Sequence, residues 1–320
     1  MIIDGHADTI ERFLGDPDAF HRRSSQGHLD GPRMRDAGLN VQIMAVYTPP
    51  KHADLAALQY ALDFIHAYHA VLESPLNSPA IRPVLAPADL DAACLPGAHG
   101  FLLFIEGASP LRGNMKNLDA FFRLGVRGIT ITHNHDNEAA RGCLAEGENL
   151  GLTAFGRDLV REMQDRGVVV DLAHANERAF LDVVSLARKP VIDSHTVLRR
   201  FWDHQRNLTD EQVLAVAKTG GVVCIDFVPD HILDRADRTV TVKIADVVRV
   251  IVYAVEKAGI DHVGIGADWD GFPENIEGLE GVTGMSRLRD ALSAGGMSDG
   301  DIEKIFGQNM LRALKEAMSQ

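Results

Sequence analysis

The sequence has few cysteines and no cluster of basic residues. Cys94, Cys143 and Cys224 are its three cysteines; they are far apart and form no CxxC pair. An odd number of widely spaced cysteines argues against a disulfide framework and favours a reducing compartment. The formal net charge is -13. Binding to nucleic acid would require concentrated Lys and Arg for phosphate contacts, so we expect no nucleic-acid partner.

Long apolar runs are absent as well. No apolar stretch approaches the ~20 residues of a membrane span, so we expect no membrane partner. The first residues have a strand pattern in place of a basic segment followed by an apolar one, so we expect no signal peptide and a cytoplasmic location. A glycine-rich phosphate loop after the first apolar run is also missing. Its absence argues against a doubly wound open sheet.

Short runs rich in Val and Ile recur along the whole chain. They are residues 1–4, 41–47, 100–106, 128–132, 167–173, 190–194, 220–227 and 262–268. Such runs are typical of strands buried on both faces, and helical patterns separate most of them. Eight strands alternating with helices over 320 residues predict an α/β fold, a closed (β/α)8 TIM barrel. We expect a single domain over 1–320, with two closing helices at about 298–318.

Specific helix signals support this alternation. Residues 54–70 are rich in Ala and Leu, and an apolar stripe runs from Phe155 to Gly167. Thr209 and Gln212 have the spacing of a capping box. A further stripe runs from Ile244 to Gly259. The least regular segments are 9–35, 134–151, 228–241 and 271–284. Each follows a strand, so we expect these segments at the catalytic face of a barrel.

Histidines and carboxylates stand at the ends of six of the predicted strands. They are His6, Asp8, Glu106, His133, His174, His195 and Asp268. Taken singly, each has a structural explanation, such as a core histidine, a helix cap or an Asx turn. Barrel active sites, however, are assembled at the carboxyl ends of the strands. Burying seven such groups around one rim is costly unless a cation compensates them, so the set predicts a metal site.

The composition of this set favours two metal ions. Two-metal hydrolases hold their ions ~3.5–4 Å apart and need a ligand shared by both. A carboxylate can bridge with its two oxygens, whereas an imidazole usually does not. The nitrogen and oxygen ligands suit zinc, with manganese or cobalt as alternatives. We therefore expect two Zn²⁺ per chain.

The motifs that contain these residues resemble those of a known family. They include "DGHADT", "FLLFIEGA", "TITHNHDN", "VVVDLAH", "PVIDSHT", "QRNLTDE", "GIGADWDG" and "DIEKIFGQNMLR". In this order and spacing they resemble the membrane (renal) dipeptidases, peptidase family M19 of the amidohydrolase superfamily. The resemblance covers essentially the whole chain. It implies a barrel of the metal-dependent hydrolase type and a metallo-dipeptidase activity on small dipeptides.

The resemblance also implies a role for each metal ligand. His6 and Asp8 would bind one zinc ion, and His174 and His195 the other. Glu106 would bridge the two ions, at a position where many amidohydrolases have a carbamylated lysine.

Three further roles follow from the resemblance. Asp268 would hold the bridging water and transfer its proton, and His133 would stabilise the oxyanion. Arg206 would bind the terminal carboxylate of the substrate. Elementary chemistry agrees, since a zinc-bound water can have its pKa lowered to ~7, and a carboxylate can take its proton. Arginine is suited to bidentate recognition of a carboxylate.

Two departures from the family pattern leave the substrate open. "DLAHAN" replaces the usual "DLSH", and Asp193 stands where a small or apolar residue is common, as a partner of a ligand histidine or as a polar strand end. The motifs fit a dipeptide substrate of either L,L or L,D stereochemistry. A related amidohydrolase acting on an N-acyl amino acid or a lactam is the alternative, and a non-catalytic binding barrel the remote one. The family also implies a homodimer, which no sequence feature indicates.

Overall fold

The apolar runs of the sequence are strands of one parallel sheet. The structure, a computed structural model, describes residues 1–49, 56–77, 81–234 and 240–319. Its strands are β1 (Ile3–Ala7), β2 (Val41–Tyr47), β3 (Ile81–Pro83), β4 (His99–Glu106), β5 (Val126–Thr130), β6 (Val169–Asp171), β7 (Ile192–Thr196), β8 (Val222–Ile225) and β9 (Val263–Ile265). Each predicted run overlaps one strand, and only β3 was not predicted.

Eight of these strands close into a barrel. β2 pairs with β4 from Val41↔Gly100 to Tyr47↔Glu106, and the ring then continues in chain order to β9. The pairing of β9 with β1, at Asp4↔Ile265, completes the closure. β3 lies outside this ring and pairs with the first residues of β4. The predicted (β/α)8 TIM barrel is therefore confirmed, and β3 is an addition beside it.

Helices surround the barrel. They are α1 (Gly31–Ala37), α2 (Ala57–Glu73), α3 (Pro87–Ala93), α4 (Met115–Arg123), α5 (Ala154–Arg166), α6 (Glu177–Leu186), α7 (Asp210–Lys218), α8 (Pro229–Ile232), α9 (Ile244–Ala258), α10 (Met285–Ala294), α11 (Asp299–Glu303) and α12 (Asn309–Met318). The capping box before α7 is confirmed, because Thr209 Oγ1 accepts from the Gln212 amide at 3.2 Å and Gln212 Oε1 from the Thr209 amide at 2.9 Å. Residues 54 and 55 of the helix predicted at 54–70 lie outside the described residues.

One end of the barrel is filled by apolar side chains. Ile3, Val41 and Val169, at the starts of their strands, belong to a buried cluster that includes Met310 and Leu314 of α12. The two predicted closing helices, α11 and α12, are present with a π-helical turn between them. This packing leaves the opposite, carboxyl end of the strands as the polar end. No helix among the described residues is long and apolar enough to cross a membrane.

Candidate metal centre

The predicted metal ligands meet at the carboxyl end of the barrel, around one carboxylate. Oε1 of Glu106, the last residue of β4, lies 3.0 Å from Nε2 of His174 and 3.4 Å from Nε2 of His195. The same oxygen lies 3.7 Å from Nε2 of His6 and 4.0 Å from Nε2 of His133. Glu106 therefore occupies the centre of the cluster, the position that a bridging ligand requires.

Two more carboxylates face His6 from the other side. Its Nε2 lies 3.8 Å from Oδ2 of Asp8 and 3.9 Å from Oδ1 of Asp268. The His6 and His195 rings lie close together, with centroids 3.7 Å apart. The cluster thus has two halves, one around Asp8 and Asp268 and one around His174, with Glu106 between them.

Unusual backbone conformations place two of these side chains. His174 and Asp268 both have φ of +62°, which is uncommon for residues other than glycine. The His174 carbonyl accepts from the Cys143 amide at 2.8 Å and from Thr132 Oγ1 at 3.0 Å. Such strain persists only where surrounding contacts hold it, and it concentrates at functional sites. The loop after β5 thus holds the turn that carries His174.

A glycine allows the close approach of two carboxylates. A Cβ atom on Gly271 would lie 2.2 Å from Oδ1 of Asp268 and 2.6 Å from Oδ2 of Asp8. The Gly271 amide also closes the turn by donating to the Asp268 carbonyl at 3.1 Å. Any side chain at this position would displace both carboxylates.

Hydrogen bonds define which nitrogen of His174 carries a proton. Nδ1 of His174 lies 2.8 Å from Oδ1 of Asn134, an oxygen that also accepts from Sγ of Cys143. An amide oxygen cannot donate, so Nδ1 of His174 is the donor. In the neutral ring, Nε2 of His174 then carries a lone pair that points into the cluster.

The same reasoning applies to His195. The Ser194 hydroxyl donates to Oδ2 of Asp171 at 2.6 Å, so its oxygen accepts from Nδ1 of His195 at 2.9 Å. Nε2 of His195 therefore also carries a lone pair. The two Nε2 atoms are 2.9 Å apart. Two facing lone pairs at this distance repel each other unless a cation interacts with both.

A proton is a poor candidate for that cation. Burial, together with neighbouring cationic groups, holds the pKa of His174 and of His195 well below the ordinary value. His6 is almost fully buried, and neither of its ring nitrogens has a hydrogen-bond partner among the described residues. Ligand atoms of His6, Glu106 and His195 lie within 4.8 Å of one another. The donor set therefore fits divalent metal ions of the zinc type.

Burial also strengthens proton binding by two carboxylates of the cluster. Burial raises the pKa of Glu106 to about 8 and that of Asp268 well above its ordinary value. Burial alone would lower the pKa of His6, but the Glu106 and Asp8 carboxylates raise it to about 10. Without a cation, Glu106 and His6 would hold protons at neutral pH. A bound cation would take the place of those protons.

The two remaining predicted residues differ in their relation to the cluster. His133 packs against Tyr47, and burial and Arg206 lower its pKa to about 3, so its ring is neutral. Arg206 is only 3% exposed and does not line the cavity. Its Nη2 donates to the His195 carbonyl and its Nη1 to Thr196 Oγ1 at 3.4 Å. Arg206 thus lies directly behind His195.

A cavity of about 310 Å³ opens above the cluster. It is lined by Asp8, Glu11, Tyr47, Glu106, His133, Asn134, His174, His195, Val228, His231, Asp268, Asp270 and Gly271. Sequence reasoning did not single out Glu11, Tyr47, Asn134, Val228, His231 or Gly271. Tyr47 ends β2, so the rule that found the other strand-end residues could have found it too.

Asp193, considered as a partner of a ligand histidine, is buried and has no hydrogen bond to either oxygen within the described ranges.

A closed (β/α)8 barrel with clustered histidines and carboxylates at its carboxyl end is the architecture of metal-dependent hydrolases. Within that class, the chain belongs to the membrane dipeptidase family, peptidase family M19, whose model matches residues 1–320. The predicted family is therefore confirmed. Membership of this metallopeptidase family implies dependence on metal.

Individual relatives agree with this assignment. The chain is 34% identical over 221 residues to dipeptidase tcpJ of Claviceps purpurea; the match covers 69% of this chain and 51% of that protein. The chain therefore spans about half the length of this curated relative. Among solved structures, dipeptidase AC, a metallopeptidase, superposes with a TM-score of 0.91 at 25% identity, over 100% of this chain and 99% of that one. A Rhodobacter sphaeroides metallopeptidase, bound to a phosphinate mimic of L-Ala-D-Ala, gives 0.89 at 25% identity, over 99% of each chain.

Proposed function

We propose that this protein is a binuclear zinc dipeptidase that hydrolyses the peptide bond of L,L and L,D dipeptides. The observation that carries the proposal is the pair of facing Nε2 lone pairs on His174 and His195, 2.9 Å apart beside the central Glu106 carboxylate. Family membership and the liganded relative from Rhodobacter sphaeroides support it. The cytoplasmic location and the homodimer stay predictions.

The described side chains provide two sets of ligands with one member in common. His6 and Asp8 would hold one ion, His174 and His195 the other, and Glu106 both. Divalent ions held there would lower the pKa of a coordinated water to ~7 and polarise the substrate carbonyl. Asn134 and Ser194 fix the histidine tautomers by accepting from their Nδ1 atoms.

Two residues of the chain would carry out the proton transfer and the stabilisation of charge. Asp268 takes the proton of the attacking water and passes it to the leaving amine; its raised pKa suits a group that must hold a proton during turnover. His133 is neutral because its pKa is lowered, and it offers an N–H to the developing oxyanion. Both line the cavity.

The cavity suits a small substrate with a carboxylate. Its volume of about 310 Å³ is at the small end of ligand sites. Arg206, next to the site, supplies positive charge for the terminal carboxylate of a dipeptide, although two of its nitrogens already donate to β7. The residue preference of each dipeptide position depends on the loops, part of which, 235–239, lies outside the described residues.

The test is a screen of the zinc-loaded protein against L,L and L,D dipeptides, with N-acyl amino acids and lactams alongside. We expect hydrolysis of dipeptides, measured as release of free amino acids. Asp268→Asn protein, purified in the same way, controls for contaminating peptidases and should be nearly inactive. Turnover of lactams or N-acyl amino acids alone would contradict the proposal and favour the related amidohydrolase activity.

A further inference from the structure

A histidine without a role in the proposed mechanism stands in the wall of the cavity. His231 belongs to the short helix α8 after β8, and its side chain is 19% exposed. Its Nδ1 lies 2.8 Å from Oδ2 of Asp226, whose side chain is fully buried. Oδ1 of Asp226 accepts from the Val228 amide at 3.1 Å. Because one ring nitrogen is bound to this carboxylate, the other is available to the cavity.

The Asp226 carboxylate requires a compensating charge. Burying an ionised carboxylate is costly unless a cation is paired with it. Within the described part of the chain, His231 is the side chain that forms an ion pair with Asp226. The imidazolium form of His231 satisfies this carboxylate through Nδ1 and leaves an Nε2–H donor for an anionic group.

The position of His231 relates it to the predicted carboxylate anchor. Nδ2 of Asn207, the residue after Arg206, donates to the His231 carbonyl at 2.8 Å and to the Trp202 carbonyl at 2.9 Å. Hydrogen bonds from Asn207 therefore link the segment 202–207 to α8. Arg206 in turn donates to the His195 carbonyl, so the segment that contacts α8 also lies beside His195.

Few other residues in the cavity wall could donate a charged hydrogen bond to an anionic group. Arg206 is not part of the wall, and no Lys or Arg lines the cavity in the described ranges. The other lining histidines, His133, His174 and His195, belong to the metal cluster or face Glu106. His231 is therefore the lining residue that can donate a charged hydrogen bond without losing a role in the cluster.

We infer that His231, oriented by Asp226, binds the C-terminal carboxylate of the substrate directly, while Arg206 supplies charge from behind. This inference rests on the proposed dipeptidase function. In this arrangement His231 selects substrates with a free carboxyl terminus, and Asp226 is a positioning residue. Arg206 keeps its contacts with β7 and does not have to move.

The experiment compares a dipeptide with its C-terminal amide. For His231→Phe, which keeps a flat ring but loses the donor, we expect KM for the free dipeptide to rise roughly tenfold to a hundredfold, as for a lost charged hydrogen bond. The kinetic constants for the amide should change little. Asp226→Asn should have a smaller effect in the same direction. His262→Phe is the control, because His262 is also half-buried but donates through Nδ1 to the carbonyl of Gly221, the residue before β8, away from the cavity.

Binding of a phosphinate dipeptide mimic, measured by calorimetry on zinc-loaded protein, separates this inference from the proposed function. We expect His231→Phe to weaken binding of the free-acid mimic and to leave binding of its amide unchanged. If the wild type binds the mimic in this way but cleaves no dipeptide, the proposed function is wrong and the role of His231 in binding a carboxylate stands. Equal losses on acid and amide, no loss on either, or no binding of the mimic by the wild type would each overturn the inference.

Discussion

His174 and His195 direct the lone pairs of their Nε2 atoms toward each other across 2.9 Å. Both tautomers are fixed from behind, by Asn134 on one ring and by Ser194 on the other. These two hydrogen bonds prevent either ring from turning away, so the fold keeps the two nitrogens close enough to repel each other. A divalent ion bound there would relieve this repulsion, and the first three predictions below test that proposal.

The first prediction concerns the shared carboxylate. Elemental analysis of zinc-reconstituted protein should find about two ions per chain, as two-metal chemistry requires. Glu106→Gln should lower the occupancy of both ions, because the amide removes a charge from the centre of the cluster. Glu11→Gln, a change of an exposed carboxylate in the same cavity, should keep both. Loss of a single ion in Glu106→Gln would mean that Glu106 does not bridge.

The second prediction concerns protons released when metal binds. The pKa of Glu106 is raised to about 8 by burial, and that of His6 to about 10 because nearby carboxylates outweigh the effect of burial. Without metal, this pair keeps a proton at pH 7, and ligands must be deprotonated to bind. Zinc binding should release protons, and its apparent affinity should rise as the pH increases from 6 toward 8. Calorimetry in buffers of different ionisation enthalpy measures this release; a binding enthalpy independent of the buffer would contradict it.

The third prediction tests the residues behind the ligands. Ser194→Ala removes the acceptor for Nδ1 of His195, so the ring loses both its tautomer preference and its orientation. Loss of such an outer partner typically costs 10–100-fold in metal affinity, and we expect about this effect in competition with a chelator. Ser185→Ala, on the exposed surface of α6, is the matched control. Equal affinities in the two variants would show that Ser194 does not orient His195.

Much of this architecture could be predicted from the sequence. Runs of Val and Ile make strands buried on both faces recognisable, and all eight barrel strands were found this way. Their polar last residues then predict the cluster of histidines and carboxylates, since parallel strands end at one face. β3 was missed because three residues, one of them proline, give too little periodicity to detect.

Other features depend on contacts that sequence spacing does not reveal. A basic residue in a polar loop would normally be solvated, yet Arg206 is buried and donates to β7. Likewise, Asp226 and His231 are separated by a turn and a helix start, and only the fold shows that they pair. Asn134 follows a predicted site histidine but supports a different one, His174, forty residues away. Long-range hydrogen bonds of this kind decide orientation, and they leave no local pattern.

The last prediction distinguishes Asp268, the carboxylate proposed to transfer the proton, from its neighbour Asp270. Asp268 and Asp270 both line the cavity and both have a left-handed backbone conformation. Asp270, however, is fully engaged: Oδ2 accepts from Thr9 Oγ1 at 2.6 Å and Oδ1 from the His28 amide at 2.7 Å, with Arg12 beside them. Oδ1 of Asp268 instead faces His6 at 3.9 Å. The two carboxylates should therefore respond differently to the same substitution.

Asp268→Asn should keep the fold and the metal content but lower kcat roughly 10²–10⁴-fold, the scale of positioned acid–base catalysis. Asp270→Asn should lower stability by about 1–3 kcal/mol, because it disturbs buried hydrogen bonds, and should affect kcat far less than Asp268→Asn does. Thermal melts, metal analysis and dipeptide turnover on both variants measure the difference. Turnover near wild type in Asp268→Asn would remove Asp268 from the mechanism. Because Asp270 is already committed to Thr9, His28 and Arg12, the buried Asp193 would then be the carboxylate to test.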